Sequence, residues 1–428
     1  MAPPVTFGVV AEREVYVVKE TAPGTIPGTV GVPVPLTSFK PSDKPMWLAD
    51  ESFQGQMGDV FGEYQGPLIG GFDVGGHVFG DHGLGESLYN LLGDYTTTGT
   101  AASPAAVTSA PLAVGATTLT VASGGASFTV GMFLWLEDAG TPALNEVVKV
   151  LSSTATTITL DPSTPCRFAH LTATPFTNTT APYTHVFALL NGSTGAANGP
   201  AQGPTHCWTD RQGLAANNAN QYAYAVASEI TITGNAEKLL DWSAKYTCAA
   251  RATAASPVGF ANTSSVVPYP SWRTATGVAG VASGGTQVKN VAEHSITLTR
   301  AVKAYNTEQG SQQPYIIARG KQSNTGKLTF LPSIDDSALT AMLGNTQPQL
   351  QFVSSNGLSG VNLVSLQVDI IAGAYTVADI SDGSELFGYG VDFKPIHTAA
   401  SAGGITATGA SGGKGAVKAT LICPTPTF

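Results

Sequence analysis

Short runs of alternating apolar and polar residues, each stopped by a cluster of Gly, Asn, Pro or Ser, constrain this chain more than any other feature. Glu14-Val15-Tyr16-Val17-Val18, Glu229-Ile230-Thr231-Ile232-Thr233 and Ser295-Ile296-Thr297-Leu298-Thr299 are clear examples. A period of two puts successive side chains on opposite faces, so such runs read as half-buried strands. Only two stretches carry a helical period. Asp81 to Leu92 places Leu84, Leu88, Leu91 and Leu92 on one face, with Gly93 suited to the C′ position. Ser333 to Leu343 offers Ser333 as N-cap, Asp336 three residues on, and Gly344 as the stop. Gly83 and Gly85 weaken the first helix. The fold class that follows is mainly β, with one or two short helices that each bury a stripe against a sheet.

At 428 residues the chain is long enough for two or three domains. Residues 20–46 are rich in proline without a helical period, and they read as an extended arm or long loop that reaches a neighbouring subunit. Gly24, Pro33, Pro35 and Lys44 mark that arm. Residues 101–176 have a different character: Ala- and Ser-rich edges surround four alternating strands, Thr117 to Ala122, Met132 to Glu137, Glu146 to Leu151 and Thr156 to Leu160. This block reads as a small β module inserted into a loop. The division is therefore 1–100 and 177–428 for the main body, interrupted by 101–176. Residues 191–220, 280–285 and 401–413 read as flexible loops.

The main body repeats itself. Leu88-Tyr89-Asn90-Leu91-Leu92-Gly93 matches Leu339-Thr340-Ala341-Met342-Leu343-Gly344, and a strand follows a glycine upstream of each, from Gly71 and from Gly326. Further upstream Gln65 to Gly70 echoes Gln313 to Ala318. Downstream, Trp242-Ser243-Ala244-Lys245-Tyr246 resembles Tyr389-Gly390-Val391-Asp392-Phe393. The first copy is longer by the 101–176 block and the 191–220 loop. Two related β-α-β units follow.

Only 11% of residues are charged, against about 25% in typical globular domains. A subunit largely covered by its neighbours needs less surface charge than a free monomer. The net charge of −9 argues against tight phosphate binding. No secretory signal or spanning apolar run is visible, and Cys166, Cys207, Cys248 and Cys423 lack any paired spacing, which fits synthesis in a reducing cytoplasm. Chemistry-bearing constellations are weak. His77, Asp81 and His82 lack a third metal ligand at a sensible spacing, and His206-Cys207 are adjacent on an extended chain, where side chains point apart. Asp335 and Asp336 suit a helix start, and Trp47, Trp208, Trp242 and Trp272 suit a core or interface as well as a sugar groove. Neither catalysis nor a cofactor or metal is expected.

Several segments, in order, resemble the major tail tube proteins of long-tailed, non-contractile phages. Val17-Val18-Lys19-Glu20-Thr21-Ala22-Pro23-Gly24-Thr25 resembles their opening. The strand and short helix ending in L-x-x-L-L-G correspond to Gly71 to Gly93, and Tyr183-Thr184-His185-Val186-Phe187 matches a Y-x-H-x-F strand. Glu229 through Tyr246, and Gln309 to Pro314, continue the order. The resemblance implies a β-sandwich or barrel fold and self-assembly into rings, commonly hexameric, whose inner strands join into a continuous barrel. Stacked rings make the tail tube, through whose usually acidic lumen DNA leaves without specific binding. It also implies a virion protein made in the host cytoplasm, with tape measure, tail terminator and tail-tip proteins as partners and no membrane. Lumen-facing candidates on the long strands are Glu229, Asp241, Asp369 and Asp392. A tail terminator or capsid decoration protein, a carbohydrate-binding adhesin and a sandwich-fold hydrolase are the alternatives that use the same features.

Overall fold

The computed structural model describes residues 13–428 except 28–30, 53–59, 61, 81, 100, 139–143, 145, 180–182, 192–200, 213–218, 255–268, 270, 279–284, 332–336, 356–363, 383–386, 398–414, 424 and 426. Asp81, Asp335, Asp336 and most of the three expected flexible loops therefore lie outside the described residues, as does the side chain of Trp272. The chain is mainly β, as its alternation predicts.

Strands are numbered in chain order. One sheet has an unbroken antiparallel path of eight strands: β3 (Ser38–Asp50), β4 (Gly62–His77), β15 (Asp241–Ala249), β14 (Ala219–Asn235), β19 (Val291–Tyr305), β20 (Ile316–Phe330), β24 (Phe387–Pro395) and β23 (Gly373–Asp382). The first half of β14 leaves that path to pair with β13 (His206–Gln212) and β16 (Ala252–Ala254); β1 (Arg13–Lys19) and β2 (Val32–Pro33) continue outward from β13. A second sheet runs β18 (Thr286–Val288), β17 (Ala275–Val278), β21 (Leu350–Ser355), β22 (Ser365–Ile370), β25 (Val417–Cys423), β12 (Tyr183–Leu189) and β5 (Gly93–Thr98). Residues of both sheets share one apolar core, where Phe352 of β21 stacks between His294 of β19 (5.3 Å) and Phe393 of β24 (6.4 Å).

Residues 101–179 fall between β5 and β12 and form a third sheet: β6 (Ala101–Val107), β11 (Pro175–Thr179), β8 (Phe133–Leu136), β9 (Glu146–Ser153), β10 (Thr157–Leu160) and β7 (Thr118–Thr120). Leu119, Phe128, Leu134, Val148, Ile158 and Phe176 belong to a separate core here. The four strands expected from alternation are present, and β6 and β11 add two from the Ala- and Thr-rich edges.

The two helices differ in their surroundings. α1 (Leu84–Leu92) is buried nearly all round, not along one stripe. Its glycines explain how: Gly83 has φ +93°, and a Cβ on Gly85 would stand 2.6 Å from the ring of Phe428, so that ring can lie directly on the helix. The polar residues carried inward are satisfied. Glu86 accepts from the Gly83 N–H (2.6 Å), and Ser87 accepts from the Tyr246 hydroxyl (2.8 Å). In α2 (Ser337–Leu343) no described side chain from Leu339 to Leu343 is buried, and Leu343 is 77% exposed.

The duplication is visible strand by strand. The path β3-β4-β15-β14 has the same topology as β19-β20-β24-β23, each built from two hairpins joined through their inner strands. Register fixes the equivalence. β4 is bulged at Gly66-Pro67 opposite Met46, and β20 at Gly320-Lys321 opposite Ala301; β14 is bulged between Ala227 and Glu229, and β23 between Tyr375 and Val377. In both units the bulge residue's hydroxyl donates to the carbonyl opposite: Ser228 to Lys245 (3.2 Å) and Thr376 to Asp392 (3.3 Å). Bulges are built features with fixed positions, so two coincidences of this kind mark a true repeat. The downstream match of Trp242–Tyr246 to Tyr389–Phe393 agrees with this register. The upstream matches need shifting, since Phe72 and not Gly71 is equivalent to Gly326, and Gln65 is equivalent to Arg319. Phe72 stacks on Tyr246 at 4.7 Å, whereas the ring of Phe393 occupies the space where a side chain on Gly326 would go.

Candidate assembly surface

Alternation along the eight strands puts Phe72, Val74, Ile230, Ile232, Trp242, Ile296, Leu298, Leu328, Val391 and Phe393 inside. The other face is exposed in the single chain and made of Ser, Thr, Lys and carboxylates. A row crosses the first unit in which Lys40 stands opposite Asp73, Asp73 opposite Lys245, and Lys245 opposite Glu229. The Lys245 ammonium is 2.7 Å from the Glu229 carboxylate, and that hydrogen bond raises the lysine's pKa above its ordinary value. At the equivalent place in the second unit Lys327 stands opposite Asp392, with the two signs exchanged. Where the units meet, the Thr231 and Thr297 hydroxyls lie 3.0 Å apart.

The structure gathers three of the four sequence-predicted acidic residues on this sheet. Glu229 and Asp392 lie on the exposed face. Asp241 opens β15 half-exposed, 2.6 Å from His77 Nδ1. Asp369 is a correction: it lies on β22 in the other sheet, 1% exposed, and accepts from Gln351 (2.5 Å) and Gln367 (2.8 Å) with Lys418 at 3.3 Å. Buried and paired, it is not on this exposed face. The described residues of the exposed face carry both signs, not the acidic character the resemblance implies. Sequence reasoning passed over Lys40, Asp73, Lys245 and Lys327. The available signal was parity, since each stands at a polar position of an alternating strand.

The expected arm is extended, but its described residues are held by their own chain. Glu20 is buried and accepts from Thr205 (2.6 Å), the Tyr224 N–H (2.6 Å) and the Gly24 N–H (2.9 Å). Desolvation there pushes its carboxyl pKa up, against the lowering effect of those bonds. Pro33 is in β2 opposite Tyr16, Pro35 is buried, and Lys44 is in β3 opposite Ile69. Prolines mislead here because an edge strand tolerates a missing donor as readily as a loop does.

The other singled-out groups have local partners. His82 Nδ1 lies 3.0 Å from Glu86, a different partner from that of His77. His206 meets the Asn90 amide (2.8 Å) on one side, while Asp210 pairs with Arg13 (2.6 Å). All four cysteines are buried and none forms a disulfide, and burial pushes the thiols of Cys166 and Cys207 up to about 12. Trp208 and Trp242 are core residues, whereas Trp47 is 57% exposed on β3.

Two arginines of the second unit anchor it to the first. Arg300 donates to the Leu91 carbonyl at the end of α1 (3.0 Å) and to that of Ala201 (2.5 Å). Arg319 donates to the carbonyls of Gly203 (2.9 Å) and Pro204 (2.7 Å) and to Asn90 Oδ1 (3.0 Å). Desolvation lowers their pKa values to about 10 and about 9. A positive side chain at the carboxyl end of α1 also complements the helix dipole.

The family model described as phage tail tube protein matches residues 11–421, nearly the whole chain. The chain belongs to the phage tail tube protein family. No curated protein matches it. Family membership makes this a structural protein of the virion tail and agrees with the β-rich fold.

Proposed function

We propose that many copies of this tail tube protein assemble into stacked rings, whose eight-stranded sheets join into a barrel that DNA passes through on ejection. The observation that carries this reading is the eight-stranded sheet itself. It holds two side-by-side copies of one four-stranded unit, a polar face, and an edge at each end that no described strand covers. Closure into a barrel removes such edges, which otherwise invite uncontrolled strand addition. Ring-on-ring stacking is a heterologous contact that propagates into a tube.

Cross-strand pairing supports a channel that releases DNA. Lysines beside Asp73, Glu229 and Asp392 bring no uncompensated positive charge to bind phosphates. In this reading the chain performs no catalytic step and needs no cofactor. Its partners are further copies of itself and the tape measure, terminator and tip proteins of the tail, and it is made in the host cytoplasm before joining the virion.

Negative-stain electron microscopy of the concentrated protein tests the reading. Hollow tubes with a regular ring repeat are expected. Persistent monomers, with or without pre-formed tail tips as nuclei, would overturn it.

A further inference from the structure

The joint between the two units inside one chain is a template for the joint between chains. β14, the last strand of the first unit, pairs with β19, the first strand of the second. By the bulge-anchored equivalence, β14 corresponds to β23 and β19 to β3. These counterparts are the two outer strands of the eight-stranded path: β23 pairs only with β24, and β3 only with β4, among the described residues. We propose that each ring closes by pairing β23 of one copy with β3 of the next, in the register of the β14–β19 joint. Each copy then supplies two of the barrel's units, so a ring of six units, the number the resemblance implies, holds three copies. This inference rests on the tube reading above and adds the partner strands, their register and the ring's chain number.

Register makes the proposal specific. Glu229 opposite Thr299 becomes Val377 opposite Lys44 of the next copy, and Ile230 opposite Leu298 becomes Ala378 opposite Asp43. Thr231 opposite Thr297 becomes Asp379 opposite Ser42, a position flanked by Lys40 and Lys44. Next to that position β3 thus carries Lys40 and Lys44, whereas β23 carries Asp379 and ends on Asp382. Val377 and Lys44 are exposed in the single chain, as an unmade joint requires. The β3 edge is also guarded. Pro41 and Pro45 turn their donor-less nitrogens to the open side, leaving Phe39 and Asp43 as outward donors in that stretch. Such an edge resists indiscriminate strand addition and accepts a partner only in a fitting register.

Cysteine cross-linking tests the joint. Residues directly opposite in an antiparallel pair have Cβ atoms about 4.5–5.5 Å apart, close enough for a disulfide after small adjustment. The four native cysteines are buried and stay silent. On oxidation of assembled Lys44→Cys/Val377→Cys protein, denaturing gels without reductant should show dimers and a trimer as the largest species. Glu229→Cys/Thr299→Cys is the matching control and should cross-link within the chain. Rings or tubes whose Lys44→Cys/Val377→Cys subunits stay monomeric while the control cross-links would overturn the joint and leave the tube reading standing. A covalent series ending at six would overturn the chain number. Absence of any ring from the unmodified protein would overturn both readings. Should the double variant fail to fold, a mixture of the two single variants should give cross-linked dimers only, and monomers there would overturn the joint.

Discussion

Asn90 is the residue whose loss the subunit should tolerate least. It lies on α1, fully buried, and its side chain makes four hydrogen bonds. The amide donates to the Ala225 carbonyl (2.9 Å) and to His206 Nδ1 (2.8 Å), while Oδ1 accepts from the Ala227 N–H (2.7 Å) and from Arg319 (3.0 Å). Ala225 and Ala227 flank the point where β14 crosses from one set of partners to the other, so this side chain ties α1 to the backbone at that crossing. Asn90→Leu keeps a similar volume and removes all four bonds. Arg319 retains two carbonyls, but the Ala225 carbonyl and Ala227 N–H are stranded, each at a cost of about 1–3 kcal/mol. The expected loss is about 4 kcal/mol, close to three powers of ten in the folding equilibrium. Urea unfolding followed by tryptophan fluorescence, at concentrations too low for assembly, would measure it, because Trp208 and Trp242 sit in the same core. A loss under about 1 kcal/mol would refute the view that this network holds helix and sheet together.

Three buried histidines should make the subunit acid-labile. Burial lowers His185 and His294 to about 4 and His206 to about 3, below the ordinary 6.5. The unfolded chain therefore binds more protons than the folded one between about pH 6.5 and 4, and stability falls through that window, by up to about 1.4 kcal/mol per pH unit for each histidine. Flat stability from pH 7 to 4.5 would contradict this. The cysteines should resist a thiol reagent until the chain unfolds, as a timed reaction with and without urea would show. Replacing residues 101–179 by a short Gly-Ser turn should leave a chain that still unfolds cooperatively in urea, because Thr98 and Thr184 already face each other in the β5–β12 ladder. Glu229→Lys/Asp392→Lys should make assembled tubes retain DNA at about 50 mM salt and release it at about 200 mM, whereas the unmodified tubes retain none in cosedimentation.

Most of the architecture was legible from alternation alone, because a period of two both builds a strand and says which side faces inward. The two helices were legible from their own period, and the repeat from short matches at the helix ends. The arm could not, since Pro33, Pro35, Pro41 and Pro45 look identical in a loop and on an edge strand; only the partners β1 and β4 distinguish them. Asp369 misled for a related reason. Ser365–Ile370 alternates like a strand of the first sheet, but Gln351, Gln367 and Lys418, which bury its carboxylate, come together only in three dimensions. The upstream repeat matches slipped because Gly326 makes room for Phe393, a compensation that single-residue similarity cannot show. The two arginines that tie the units together gave no sequence signal, because their partners are backbone carbonyls and, for Arg319, one buried amide oxygen far away in the chain.

A three-dimensional reconstruction of the assembled tube tests the central claim most directly. The account expects the eight-stranded sheets to line the channel, with the Lys245–Glu229 and Lys327–Asp392 face inward and the 101–179 sheet outside. A tube walled by the β5–β12 sheet, or a channel filled by the 101–179 module, would contradict it.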